Sequence, residues 1–150
     1  MGVVKDAVYT VDIIIETDVG VPLITRKYPP YKGRKAIPGG KVDPEDYKLA
    51  GGDNERAFRI AAVREAKEEV VDGIIEIVRK IGVYDTPGRD PRGNYVSNAY
   101  VARIVAGSIR AASDAEGVEL FTCMPAGMAF DHEKILRDSK VFERWDKKER

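Results

Sequence analysis

The sequence predicts an α/β fold, and three observations carry that expectation. Runs rich in β-branched and aromatic residues recur at 7–16, 21–26, 74–81, 94–105 and 118–122, the composition of strands. One segment, 54–72, contains neither Gly nor Pro and is rich in Ala, Glu, Arg and Lys, which predicts a helix. The stretches between are mostly polar and punctuated by Gly and Pro, as turns and loops are.

In chain order, 7–16 (AVYTVDIIIE) is the first strand, Thr17-Asp18-Val19-Gly20 a turn, and 21–26 the returning strand of a hairpin. Arg26 closes that strand one loop away from Pro38-Gly39-Gly40. There it either decorates the surface or contacts an anionic substrate. Residues 36–40 (AIPGG) end in a turn whose two glycines let the backbone approach a ligand closely. Residues 43–52 read as a surface loop, and Asp53 or Asn54 can cap the helix that follows. The loop 83–93 (VYDTPGRDPRG) has the length of loops that are often functional. After the last strand a helix is expected at 133–147, with Asp131 as its N-cap. His132, the only histidine, then takes a capping or surface position.

A chain of 150 residues fits one domain, 1–150, with its own core. Its 25 basic and 25 acidic residues cancel, which removes any bulk electrostatic case for nucleic acid or an anionic membrane. An anionic substrate must therefore be drawn by a local site. Cys123 is the only cysteine, so an intrachain disulfide is excluded and a buried filler is expected. No leader pattern or membrane-length apolar run is present, so a cytoplasmic location is the default expectation.

The helix at 54–72 carries Glu65, Glu68 and Glu69 within an arc of roughly 100°. Like charges at these spacings destabilise a helix by a few tenths of a kcal/mol per pair, roughly. Mg²⁺ would offset that, because it takes carboxylate oxygens together with waters and substrate phosphates. A solvated acidic face is the competing reading. Ala62, Ala66 and Val70 form an apolar stripe beside the carboxylates, so the helix can pack on a core with its acidic edge at a cleft.

A Pro-Gly-Gly turn followed by a helix bearing Arg64-Glu65-Ala66-Lys67-Glu68-Glu69 resembles the signature of the Nudix hydrolase family, G-x5-E-x7-R-E-U-x-E-E-x-G-U with U apolar. Gly40 matches the opening glycine. Residues 41–54 read as an insertion, Arg56 stands where the first Glu belongs, and Glu55 is the neighbouring substitute. Val71 replaces the late glycine, with Gly73 as the residue that would end the helix. The resemblance implies an α/β/α sandwich with a mixed β-sheet. It also implies Mg²⁺, or Mn²⁺ in its place, held by Glu65, Glu68, Glu69 and the Gly39 carbonyl. Arg64 is expected to hold Glu55 or another loop carboxylate. Glu116 matches the later-loop glutamate that serves as general base, with Glu65 the runner-up.

Segments 23–33, 81–93, 113–121 and 129–135 resemble the ADP-ribose pyrophosphatase branch, which implies hydrolysis of ADP-ribose to AMP and ribose 5-phosphate and a homodimer. Arg26, Gly40, Arg89 and Arg92 are the candidate substrate contacts, with Tyr28, Tyr31 and Tyr84 as candidate shelves for adenine. A dinucleotide or oxidised nucleoside triphosphate is an alternative substrate, and an ADP-ribose sensor without catalysis a further alternative.

Overall fold

The computed structural model describes residues 6–110 and 117–146. Seven strands and four helices follow one another as β1 (Val8–Glu16), β2 (Val21–Thr25), β3 (Lys35–Ala36), β4 (Gly39–Lys41), α1 (Pro44–Leu49), α2 (Asn54–Glu69), β5 (Val71–Tyr84), β6 (Tyr95–Ile109), β7 (Val118–Phe121), α3 (His132–Ser139) and α4 (Glu143–Asp146). The strands form a mixed four-stranded sheet, β4-β1-β6-β5, and an antiparallel three-stranded sheet, β3-β2-β7. In the first sheet β1 runs parallel to β6, while β4 and β5 are antiparallel to their neighbours.

Alternation along β1 builds two cores. Val11, Ile13 and Ile15 face α2 and pack with Ala61, Ala62, Ala66 and Val70. Ile14 faces the other way and packs with Leu23 of β2 and with Ile135 and Leu136 of α3. The expected stripe on α2 is fully buried, and its alanines let the helix lie close on the sheet. No helix among the described residues is long and apolar enough to cross a membrane.

Several local expectations change. The turn Thr17–Gly20 joins β1 and β2, but the two strands enter different sheets instead of forming a hairpin ladder. Part of the expected loop at 43–52 is the helix α1. Asp43 precedes Pro44 at the first helical position, and the Asp43 N–H donates to Asp46 Oδ2 at 2.8 Å, a helix-start pattern legible in Asp43-Pro44-Glu45-Asp46. Helix α2 ends at Glu69, because the β-branched pair Val70-Val71 turns directly into β5. Gly73 therefore does not end the helix. It lies in β5 opposite Gly107, where a side chain would collide with the Ala106 carbonyl oxygen. The final helix is two short ones, broken where Lys140 adopts a left-handed conformation. Cys123 is exposed instead of buried.

Candidate active site

The site is assembled where α2 passes the edge of the first sheet. That edge is β4, and two of its three residues are Gly39 and Gly40. A Cβ on Gly40 would stand 2.5 Å from the Glu65 carboxyl carbon, so only glycine admits the carboxylate there. The Gly39 N–H donates to Glu69 Oε1 at 3.0 Å. Glu65 and Glu69 thus lie together against the diglycine part of β4. Burial pushes the Glu69 carboxyl up to about 8, with the nearby Glu65 carboxylate adding to the effect against the Gly39 hydrogen bond. Burial raises Glu65 as well, although Arg64 opposes it.

Arg64 organises the outer side of this pair. Its guanidinium grips Asp46 through Nε–Oδ1 at 3.1 Å and Nη2–Oδ2 at 2.8 Å, and reaches Glu65 at 2.8 Å. Asp46 is 1% exposed. Burial would raise its pKa, but the hydrogen bonds from Arg64 and the Asp43 N–H outweigh it and hold the carboxyl below its usual range. The loop carboxylate under Arg64 is therefore Asp46. Glu55, the expected substitute, is occupied elsewhere, with Lys80 at 2.6 Å and Tyr100 at 2.7 Å. The signal was present: five residues separate Gly40 from Asp46, the G-x5-E spacing with Asp for Glu. The extra residues fall after Asp46, since seventeen separate it from Arg64 where the pattern has seven.

Glu68 does not join Glu65 and Glu69 as they stand. Its side chain is 56% exposed and lies 3.4 Å from Arg64 Nη1. Among the described residues no three His, Cys, Asp or Glu side chains form a ready metal site. The chemistry of the inner pair nonetheless fits a hard divalent cation, since burial raises two adjoining carboxylates and carboxylate oxygens are what such an ion takes. Glu116 lies outside the described residues.

Gly39 and Gly40 also line a cleft of about 130 Å³ that takes residues from both sheets, while Glu65, Glu68 and Glu69 are not part of its lining. Arg26, Arg89 and Arg92 all line it, with Asp12, Phe130 and His132. Arg89 is held bidentately by Asp131 at 2.8 and 2.6 Å, and Arg92 by Asp90 at 3.0 and 2.7 Å. Arg26 Nε donates to the Pro30 carbonyl at 2.7 Å, and its guanidinium lies 4.9 Å from the centre of the Phe130 ring. Burial lowers the Arg26 pKa, with Arg92 nearby adding to the effect. Of the aromatic candidates, Tyr31 packs edge-on against Phe130, Tyr28 is exposed, and the Tyr84 hydroxyl donates to Asp138 at 2.7 Å. The aromatic lining of the cleft is instead Phe130 and Tyr95.

Asp131 takes the expected N-cap position of α3 without a side-chain capping bond, and His132 differs from expectation. The Asp131 carboxylate binds Arg89 instead of capping α3. His132 is buried, not on the surface. Its Nδ1 accepts a hydrogen bond from the Ile37 N–H at 3.0 Å, and its Nε2 lies 3.4 Å from Asp12 Oδ1. These contacts span 95 and 120 residues of sequence, so no local pattern marked them.

The NUDIX domain model matches residues 7–144. The chain is 41% identical over 138 residues to the ADP-ribose pyrophosphatase of Methanocaldococcus jannaschii, covering 90% of this chain and 72% of that protein. Its fold is similar to a MutT/nudix family protein from Enterococcus faecalis, with a TM-score of 0.71 at 24% identity, over 98% of this chain and 65% of that one. It is also similar to the NUDIX domain of Shewanella oneidensis NrtR complexed with ADP ribose, with a TM-score of 0.65 at 24% identity, over 95% and 90% of the two chains.

Proposed function

The chain belongs to the NUDIX domain family, and on that premise we propose that it is a pyrophosphohydrolase that splits ADP-ribose into AMP and ribose 5-phosphate, or hydrolyses the pyrophosphate bond of a related nucleoside diphosphate derivative. One observation carries the reading: Glu65 and Glu69 adjoin a diglycine strand that also lines a cleft walled by Arg26, Arg89 and Arg92. Glu65, Glu69 and Glu68 would hold Mg²⁺ or Mn²⁺, with the Gly39 carbonyl beside them. Such an ion neutralises clustered phosphate charge and makes water more acidic.

The chain's own residues supply the rest. Arg64, fixed by Asp46, holds Glu65 in place and keeps the long helix in register with the diglycine strand. Arg26, Arg89 and Arg92 direct positive charge at a diphosphate, and Gly40 lets it come close. The proton of the attacking water passes to a carboxylate, Glu116 in the first instance and Glu65 in the second. The protein then works as a single-domain cytoplasmic homodimer on a small nucleotide, with no nucleic-acid partner.

The pairing of Glu68 with Arg64 favours a second reading, in which ADP-ribose is bound without cleavage. One assay separates the two. The protein is incubated with ADP-ribose and Mg²⁺ or Mn²⁺, AMP release is followed, and EDTA serves as the control. Release that stops with EDTA is the expected result. Binding of ADP-ribose without AMP at saturating cation would overturn the hydrolase reading.

A further inference from the structure

Asp12 interrupts a run of buried apolar residues in β1. Val11, Ile13, Ile14 and Ile15 are completely buried, and Asp12 among them is only 7% exposed. A carboxylate in such a place is costly unless donors meet it, and a polar residue that breaks a core pattern marks a position serving something other than packing.

One donor meets Asp12 from inside the protein and a ring nitrogen lies close by, 3.4 Å away. Ser97 Oγ donates to Oδ2, and His132 Nε2 faces Oδ1. The state of His132 follows from its other nitrogen. Nδ1 accepts the Ile37 N–H, so it carries no proton, and burial holds the imidazole below its ordinary range. The single ring proton therefore sits on Nε2, toward Asp12. Held from behind, the carboxylate keeps acceptor capacity for the cleft it lines.

The walls and the floor of the cleft differ in what they bind. Arg26, Arg89 and Arg92 suit phosphate, whereas a carboxylate repels it. The floor suits a neutral hydrogen-bond donor. We propose that Asp12 is a specificity-determining residue that accepts a hydrogen bond from a neutral donor of the substrate, a sugar hydroxyl or an exocyclic base amine, and that Ser97 and His132 are its positioning residues. This rests on the nucleotide-binding reading of the same cleft and states what its floor selects.

Calorimetry in EDTA tests the proposal without turnover. Dissociation constants are measured for ADP-ribose, for its counterpart with hypoxanthine in place of adenine, and for its counterpart with a deoxygenated sugar. One of the two analogues is expected to bind the parent about ten- to a hundred-fold more weakly, the range for a hydrogen bond to a charged group. Asp12→Asn should weaken ADP-ribose binding about tenfold and narrow that gap. His132→Asn, whose shorter side chain can still accept from Ile37 but does not extend to the Nε2 position facing Asp12, should narrow it less. Equal affinity of the parent for all three compounds overturns the proposal, as does a gap unchanged in Asp12→Asn. If Asp12→Asn shows no cooperative thermal transition, His132→Asn and Ser97→Ala decide by the same gap. AMP release with Mg²⁺ is scored separately. Discrimination without AMP refutes hydrolysis and keeps the role of Asp12, and AMP without discrimination does the reverse. Failure to bind any of the three overturns the substrate class and the proposal with it.

Discussion

The two ends of α2 present glutamates in opposite conditions. At the N-terminal end Glu55 is met by Lys80 at 2.6 Å, Tyr100 at 2.7 Å and Arg59 at 3.3 Å. Partial burial would raise its pKa, but these donors outweigh it and hold the carboxyl below its usual range. At the C-terminal end Glu69 has the Gly39 N–H and another carboxylate for company, and burial takes it up to about 8. The same residue type, three to four helical turns apart by the usual geometry, is satisfied in one place and left wanting a cation in the other. Satisfaction marks structure and its lack marks chemistry, which is a better guide than acidity alone.

The sharpest way to break this contrast is to neutralise its unsatisfied end. Glu69→Gln should cut cation-dependent turnover by about 10²- to 10⁴-fold, while leaving the metal-free fold at least as stable, by about 1 kcal/mol in denaturant titrations. Parent-like turnover would remove Glu69 from the reaction. Next in size is the clasp between α1 and α2. Asp46→Ala removes the bidentate partner of Arg64, which keeps Glu65 and the Lys41 carbonyl, and should lower stability by about 1–2 kcal/mol, a figure discounted for partial exposure of Arg64. Turnover should fall with it, since the arginine that holds Glu65 loses its own anchor. Stability unchanged within error would show the clasp to be ornamental.

The satisfied end predicts smaller effects. Glu55→Gln leaves Lys80 beside a neutral amide and should cost about 1 kcal/mol, with turnover within about threefold of the parent. A larger loss of turnover would erase the distinction between the two ends. The last effect is on acid stability. Asp46 and Glu55 both have folded pKa values below their unfolded ones. Their contribution is complete above about pH 5.5, where the unfolded chain has also ionised, and is lost as pH falls through the folded values. Urea midpoints between about pH 2.5 and 5 should therefore decline toward acid, less steeply in the Asp46→Asn Glu55→Gln double variant. Equal slopes would sink this assignment.

Much of this was legible in the residues. The strand runs and the helix at Asn54 were readable from composition, because β-branched alternation and an Ala-rich stripe are local properties. Helix α1 was readable in principle from Asp43-Pro44, and Asp46 from its spacing to Gly40, but expecting Glu at that spacing hid the Asp. The parts that could not be read are long-range. Nothing near His132 points to Ile37 or Asp12, and nothing in the 83–93 loop shows that Asp131 answers Arg89, whereas the pairing of Asp90 with Arg92 is local to that loop. The placement of Gly73 failed for a similar reason, since its neighbour Gly107 arrives from another strand.

The clasp between Asp46 and Arg64 also has a consequence for chain length. With both ends tied, the intervening connection is a detour whose size does not reach the carboxylates. It turns at Gly51 and Gly52, which have positive φ of 66° and 87° and open space where side chains would point. A guest peptide spliced between them would ride outside the reaction, which makes this the natural place to tether a fluorophore or an affinity handle.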